Sequence, residues 1–375
     1  MKLRRLRRLL PGLLVTVAVG LVGLLLVATG RIPVAASAGH SAIAYWFLHS
    51  AMREAVQAQA ADITAPPLDD PILVQRAAPH FDLNCAPCHG APGVQGSLTV
   101  AGATPKPPSL AHKLGEWRAR ELFWIVKHGI KYTGMPAWPA QEREDEVWAM
   151  VAFLERLPQL SPDEYRRLAD GAAVAGRGDA RLGDLSSGSA STDIEPCTRC
   201  HGRDGNGTGD GAFPRIAGQS EAYLFAALAA YAGGARHSGI MQVQARSLDR
   251  QQMRALARHY AAQSPRVGRP QHGPDAGQRL ARGRRIAEQG LPERGVPACD
   301  SCHGAAPPRN PAFPLLDGQH ANYLVQQLQL FRQQRRGGSP YAGLMSFIAE
   351  RLDERAIRDV ALWYATRPAG RLDDR

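Results

Sequence analysis

Aromatic residues are scarce in this 375-residue chain, at 6% of positions, and cysteine is scarcer, with six in all. No basic run is interleaved with aromatics, so the usual footprint of a nucleic-acid-binding protein is missing. The formal charge of +11 does not restore it. Five basic residues (Lys2, Arg4, Arg5, Arg7 and Arg8) stand in the first eight positions, and the rest of the excess is spread thinly. No thiol is left over for a disulfide framework, because every cysteine belongs to one short pattern. With 44% hydrophobic and 21% charged positions the chain has the composition of a folded protein. Its length suits two or three domains.

The pattern occurs three times, as Cys85-Ala86-Pro87-Cys88-His89, Cys197-Thr198-Arg199-Cys200-His201 and Cys299-Asp300-Ser301-Cys302-His303. Each is Cys-x-x-Cys-His, the attachment signature of a c-type haem. Two thiols three positions apart on a helical turn reach the two vinyl groups of one haem. The histidine that follows is then held beneath the iron as proximal ligand. A redox dithiol has no need of that histidine, and a zinc site wants four ligands at paired spacing. The sequence therefore predicts three covalently bound haem c groups, held by Cys85, Cys88, Cys197, Cys200, Cys299 and Cys302.

A second axial ligand is expected downstream. Met135, Met241 and Met345 lie 46, 40 and 42 residues after His89, His201 and His303. All three read as turn-like positions before a final helix, with Gly134, Gly239 or Gly343 close by to let the backbone close over the haem. Met150 and Met253 fall inside those final helices and read as core. The rival ligands are His112 or His128 in the first unit, His237 in the second and His320 in the third.

Apolar spacing and linker composition divide the chain. Residues 9–30 form an uncharged run, 71–160 a first unit, and 161–193 a flexible linker containing Ser186-Ser187-Gly188-Ser189-Ala190-Ser191. A second unit covers 194–263, a Pro- and Gly-rich linker 264–277, and a third unit 278–368. The second and third units repeat. Phe213-Pro214-Arg215-Ile216-Ala217-Gly218-Gln219 recurs as Phe313-Pro314-Leu315-Leu316-Asp317-Gly318-Gln319, and Tyr223-Leu224 as Tyr323-Leu324. Carbonyls at Pro214 and Pro314 are candidates to accept the N–H of the proximal histidine. A simple turn before the next helix is the other reading.

On these motifs the second and third units together resemble the tandem di-haem cytochrome c4 family. The first unit is similar to a single-haem class I cytochrome c, through Cys85 to Gly90 and Gly134-Met135-Pro136-Ala137-Trp138. The resemblance implies an all-α fold with three tandem class I cytochrome c domains, and the N-terminal transmembrane helix ahead of them is read from the chain's own apolar run. It also implies electron transfer, with His89/Met135, His201/Met241 and His303/Met345 as axial pairs. A single-haem unit and a tether ahead of the tandem pair depart from that family's pattern.

The run from Leu9 to Gly30 is long enough to span a bilayer. The basic start places the N-terminus in the cytoplasm and the haem units in the bacterial periplasm, anchored to the inner membrane. Ala36-Ser37-Ala38 offers cleavage as the alternative. Residues 41–60, with Tyr45, Trp46, Phe47 and Leu48, read as a helix on the membrane surface or one packed on the first unit. An iron with both axial positions filled suits an electron carrier and not an enzyme. The expected partners are redox proteins, with a dehydrogenase or quinol-oxidising complex as donor and a terminal oxidase as acceptor. The alternative is a cytochrome subunit of a membrane-bound dehydrogenase. A peroxidase-type enzyme would require one haem to lose its methionine. Between Lys106 and Lys131, six basic residues (Lys106, Lys113, Arg118, Arg120, Lys127 and Lys131) face two acidic ones (Glu116 and Glu121). They read as a basic rim for an acidic partner, or as solvated surface.

Overall fold

The computed structural model describes residues 2–32, 34–171, 194–209, 211–266, 275–304 and 310–368. Among these residues there are helices and loops and no strand, with only isolated bridges at Ala91–Val94 and Leu291–Val296.

The first unit is built on two crossing helices, Pro71–Asn84 and Glu144–Arg156. The first opens with Pro71 behind Asp70, whose carboxylate accepts from the Ile72 amide at 2.9 Å. Proline at the first helical position loses no bond the helix would have made. Phe81 and Phe153 meet where the helices cross, with ring centroids 5.0 Å apart. A third helix, Ala119–His128, joins through Phe123 stacked on Trp148 at 4.2 Å.

This unit runs past the expected boundary at 160. Residues assigned to a flexible linker form the helix Pro162–Ala169, started by a reciprocal cap between Ser161 and Glu164. Its Tyr165 is fully buried against Phe81 and Phe153 and donates to Asp82 at 2.7 Å. Linker composition begins only after this helix, and the Ser186–Ser191 run lies outside the described residues. So does most of the second linker.

The second unit uses Glu195–His201, Glu221–Ala232, Met241–Arg246 and Arg250–Ala261 around Leu224, Leu256, Ala257 and Tyr260. The third is larger. Its helices Ala276–Gln289 and Glu354–Thr366 pack closely at Gly283, where a Cβ would overlap the Asp359 carbonyl. The buried Asp359 carboxylate takes Arg279 at 3.2 Å and Arg282 at 2.6 Å, both from the opposite helix.

The units are docked together. Two glutamines that close the repeated motif cross between the second and third. Gln219 bonds the Leu315 carbonyl and amide at 2.8 and 2.9 Å, and Gln319 bonds the Arg215 carbonyl and amide at 2.8 and 3.0 Å. The first unit is bound to both others, through Asp82–Arg199 at 2.7 Å, Arg143 to the His237 carbonyl at 2.9 Å, and Asp145–Gln326.

At the N-terminus, Pro11–Ala28 is long and apolar enough to cross a membrane, with mean hydropathy 2.4. The helix Ala42–Gln59 packs on the first unit through its second half only. Ile43, Tyr45, Trp46 and Phe47 are exposed, whereas Val56 and Ala60 are buried on the first unit. Arg53–Glu116 at 3.0 Å holds that second half in place.

Candidate functional site

Each Cys-x-x-Cys-His lies on a helical turn closed by a glycine, which brings thiols and imidazole to one side. Cys85 ends Pro71–Asn84, and Ala86–His89 continues it to Gly90 at φ 66°. Cys197, Cys200 and His201 share Glu195–His201, ended by Gly202 at φ 74°. Cys299 caps Asp300–His303. No disulfide forms among the six. Burial pushes one thiol of each pair (Cys85, Cys200 and Cys299) up to about 12. Among the described residues no three His, Cys, Asp or Glu side chains gather to hold a metal ion.

The three histidines are oriented alike. His89 Nδ1 lies 2.9 Å from the Pro108 carbonyl, His201 Nδ1 3.1 Å from that of Pro214, and His303 Nδ1 2.9 Å from that of Pro314. A carbonyl only accepts, so Nδ1 carries the proton and Nε2 keeps its lone pair for a metal. Burial holds His89 and His201 below the ordinary imidazole range, and therefore neutral. The Pro108 carbonyl was not singled out in the sequence because the first unit lacks the Phe-Pro repeat.

The methionines sit in two kinds of setting. Met135 lies in a loop, its amide bonded to Thr133 Oγ1 at 3.1 Å. The glycine that closes this loop is Gly129, at φ 65°, where a Cβ would overlap the Met135 carbonyl. Gly134 and Gly343 meet no such constraint. Met241 and Met345 are not in turns ahead of the final helix. Met241 starts the helix Met241–Arg246, and Met345 lies within Ala342–Glu350.

Around the third motif, Cys299, Cys302, His303 and Met345 line one cavity of about 230 Å³. Its walls come from the second unit as well, including Tyr223 and Arg236. Arg336 lines it too. Arg236 reaches Tyr323 Oη at 3.2 Å across the unit boundary, and Arg336 reaches Tyr223 Oη at 3.4 Å in the opposite sense. Arg236 is buried. Burial and the charge of Arg236 lower Arg336 from its ordinary value. Among the described residues no carboxylate forms an ion pair with either guanidinium, although a buried cation beside a half-buried one favours an anion between them. A haem carries two propionate carboxylates, so thiols, imidazole, thioether and arginine pair together fit that group.

Of the rival ligands, His237 turns to Glu142 of the first unit, with Nδ1 3.1 Å from the carboxylate. His128 is exposed beside Trp124, and the His112 side chain lies outside the described residues. The basic rim is partly consumed. Lys127 pairs with Glu144 at 2.6 Å, and Arg120 donates to the Ala61 carbonyl.

Comparison with known proteins matches residues 73–154 to the family described as cytochrome c oxidase, cbb3-type, subunit III. Residues 187–260 match the family described as cytochrome c. A thiosulfate dehydrogenase electron acceptor of Thiomonas intermedia is 38% identical over 173 residues, covering 46% of this chain and 78% of the relative. Cytochrome c4 of Pseudomonas aeruginosa is 34% identical over 182 residues, covering 48% of this chain and 86% of the relative. Among solved structures, reduced cytochrome c4 from Pseudomonas stutzeri is 28% identical, covers 46% of this chain and 94% of its own, and has a TM-score of 0.43.

Proposed function

The chain belongs to the c-type cytochromes, as a multi-haem electron carrier with a cytochrome c4-like di-haem region, and from that premise we propose that it is a tethered three-haem wire. The haems are held by Cys85/Cys88, Cys197/Cys200 and Cys299/Cys302. Their axial pairs are His89/Met135, His201/Met241 and His303/Met345. The observation that carries this is the third cavity, which Cys299, Cys302, His303 and Met345 line together. A bound haem supplies an iron that exchanges one electron with little change of geometry, and a thioether ligand favours its reduced form.

This chain's own residues do the positioning. The carbonyls of Pro108, Pro214 and Pro314 hold each imidazole by its Nδ1 proton. Arg236 and Arg336, which line the third cavity, would neutralise the propionates of a haem bound there. Two relatives are electron acceptors of thiosulfate dehydrogenases, those of Thiomonas intermedia and Stutzerimonas stutzeri. The donor proposed here is accordingly a periplasmic dehydrogenase acting on a reduced sulfur anion, and the acceptor a membrane oxidase. The Pro11–Ala28 helix is retained as anchor, and the exposed apolar half of Ala42–Gln59 lies in the bilayer interface.

Intact mass of the mature chain should show three haems and the N-terminal helix. Its reduced form should bind no carbon monoxide, and Met345→Ala should create one binding haem in three. Carbon monoxide binding by the unaltered protein would overturn the carrier reading. A failure of thiosulfate plus its dehydrogenase to reduce the chain would remove the proposed donor alone.

A further inference from the structure

The first unit meets the second at a buried carboxylate that electron transfer within either unit does not require. Glu146 stands in the first turn of Glu144–Arg156 and is 4% exposed. One oxygen accepts from Ser238 Oγ at 2.6 Å and faces Arg143 at 3.0 Å. The other accepts from the Gly239 amide at 2.6 Å and the Trp138 indole N–H at 3.3 Å. Ser238 passes the link on, since its Oγ accepts from the Met241 amide at 3.1 Å. Trp138 lies three residues beyond Met135, and Gly239 two before Met241. The two segments touch so closely that a Cβ on Gly239 would overlap the indole of Trp138.

We propose that Glu146 is a positioning residue that fastens the Met135 loop of the first haem to the Met241 helix of the second, making one fixed electron path from two units. The proposal rests on the axial pairs given above. Four donors converge on this carboxylate, two from each unit: Trp138 and Arg143 from the first, Ser238 and Gly239 from the second. Removing it takes the acceptor from the Trp138 indole, the Ser238 hydroxyl and the Gly239 amide at a buried seam, which costs more than the bonds themselves were worth. Arg143 reinforces the joint by donating to the His237 carbonyl at 2.9 Å. The neighbouring Asp145 balances its charge at 2.8 Å. The amide of Glu146→Gln cannot replace the carboxylate, because its NH2 would face donors.

The test uses the full-length holoprotein. Glu146→Gln is compared with Ser238→Ala, which removes only the hydroxyl between Glu146 and the Met241 amide. A third variant, Asp359→Asn, disrupts a buried ion pair of the third unit as a control for general destabilisation. The readouts are the ferric iron–thioether absorption band, midpoint potentials resolved by haem, and the rate of electron passage between the first and second haems after rapid reduction. Glu146→Gln is expected to weaken the band by one haem's share of three, shift the second potential and slow that passage. Ser238→Ala should do the same to a lesser degree, and Asp359→Asn should do neither. Lower thermal stability in Glu146→Gln and Ser238→Ala, with bands, potentials and rate unchanged, would overturn the proposal. Met241→Ala separates the two claims. If it removes one haem's band while Glu146→Gln and Ser238→Ala leave everything in place, positioning fails and ligation stands. If Met241→Ala leaves the band intact, both fall.

Discussion

At the residue scale, His80 shows how burial becomes pH dependence. It is 5% exposed, tilted against Trp138 with centroids 5.0 Å apart. Burial lowers its pKa from 6.5 to about 4. The unfolded chain then takes up a proton where the folded one does not. Stability from the neutral ring is complete above pH 6.5 and is lost as pH falls towards 4. The shift corresponds to roughly 3 kcal/mol. Denaturant titrations of the holoprotein at pH 7 and pH 4.5 should show the first unit losing much of that amount. His80→Gln should flatten the difference, and an unchanged slope would show that the ring is protonated in place. Met135, Met241 and Met345 were read as ligand candidates from their order along the chain, and the three Cys-x-x-Cys-His patterns were legible because covalent haem attachment requires that spacing. Glu146, Gln219 and Arg236 were not, because a buried polar side chain is recognised by what meets it from another unit, and spacing carries no trace of that.

At the element scale, the crossing of Ala276–Gln289 with Glu354–Thr366 depends on the bare backbone of Gly283. Gly283→Ala forces the helices apart or bends one of them, at a cost of about 2 kcal/mol. The third unit should melt earlier while the first keeps its transition, as followed by haem-specific spectra. Gly129→Ala combines a Cβ clash at the Met135 carbonyl with an unfavourable φ of 65°. It should weaken the Met135 side of the first haem more than Gly134→Ala does, measured by the iron–thioether band. The sequence led to Gly134 because adjacency was the only guide to loop closure. The constraint sits six residues before the methionine, where the chain returns on itself. The helix Pro162–Ala169 was hidden for a related reason, since a short polar segment earns its place through one tyrosine filling a gap between Phe81 and Phe153.

At the scale of the whole molecule, the units form one body in which each boundary has its own device. The first joins the tandem pair through Glu146, Arg143 and the Asp82–Arg199 pair. The tandem pair joins itself through Gln219 and Gln319. Gln219→Ala should speed hydrogen exchange at the Leu315 amide, in the other unit, and leave the Arg215 amide slow. Gln319→Ala should do the reverse. Each lost bond is worth on the order of 1 kcal/mol. Equal exchange at both amides would mean that the loops hold themselves. The sequence revealed the three-unit order and the repeat through matched spacings. Docking stayed invisible, since a long polar connection is compatible with any arrangement of what it connects.

The crossed glutamines bear on how such a pair can change over generations. Each grips the residue directly after the proline whose carbonyl steadies the other copy's imidazole. Excised, either half would keep its porphyrin yet forfeit the outside hand beside its metal-bearing ring. A change at either glutamine is therefore felt at the opposite copy's iron support, not at its own.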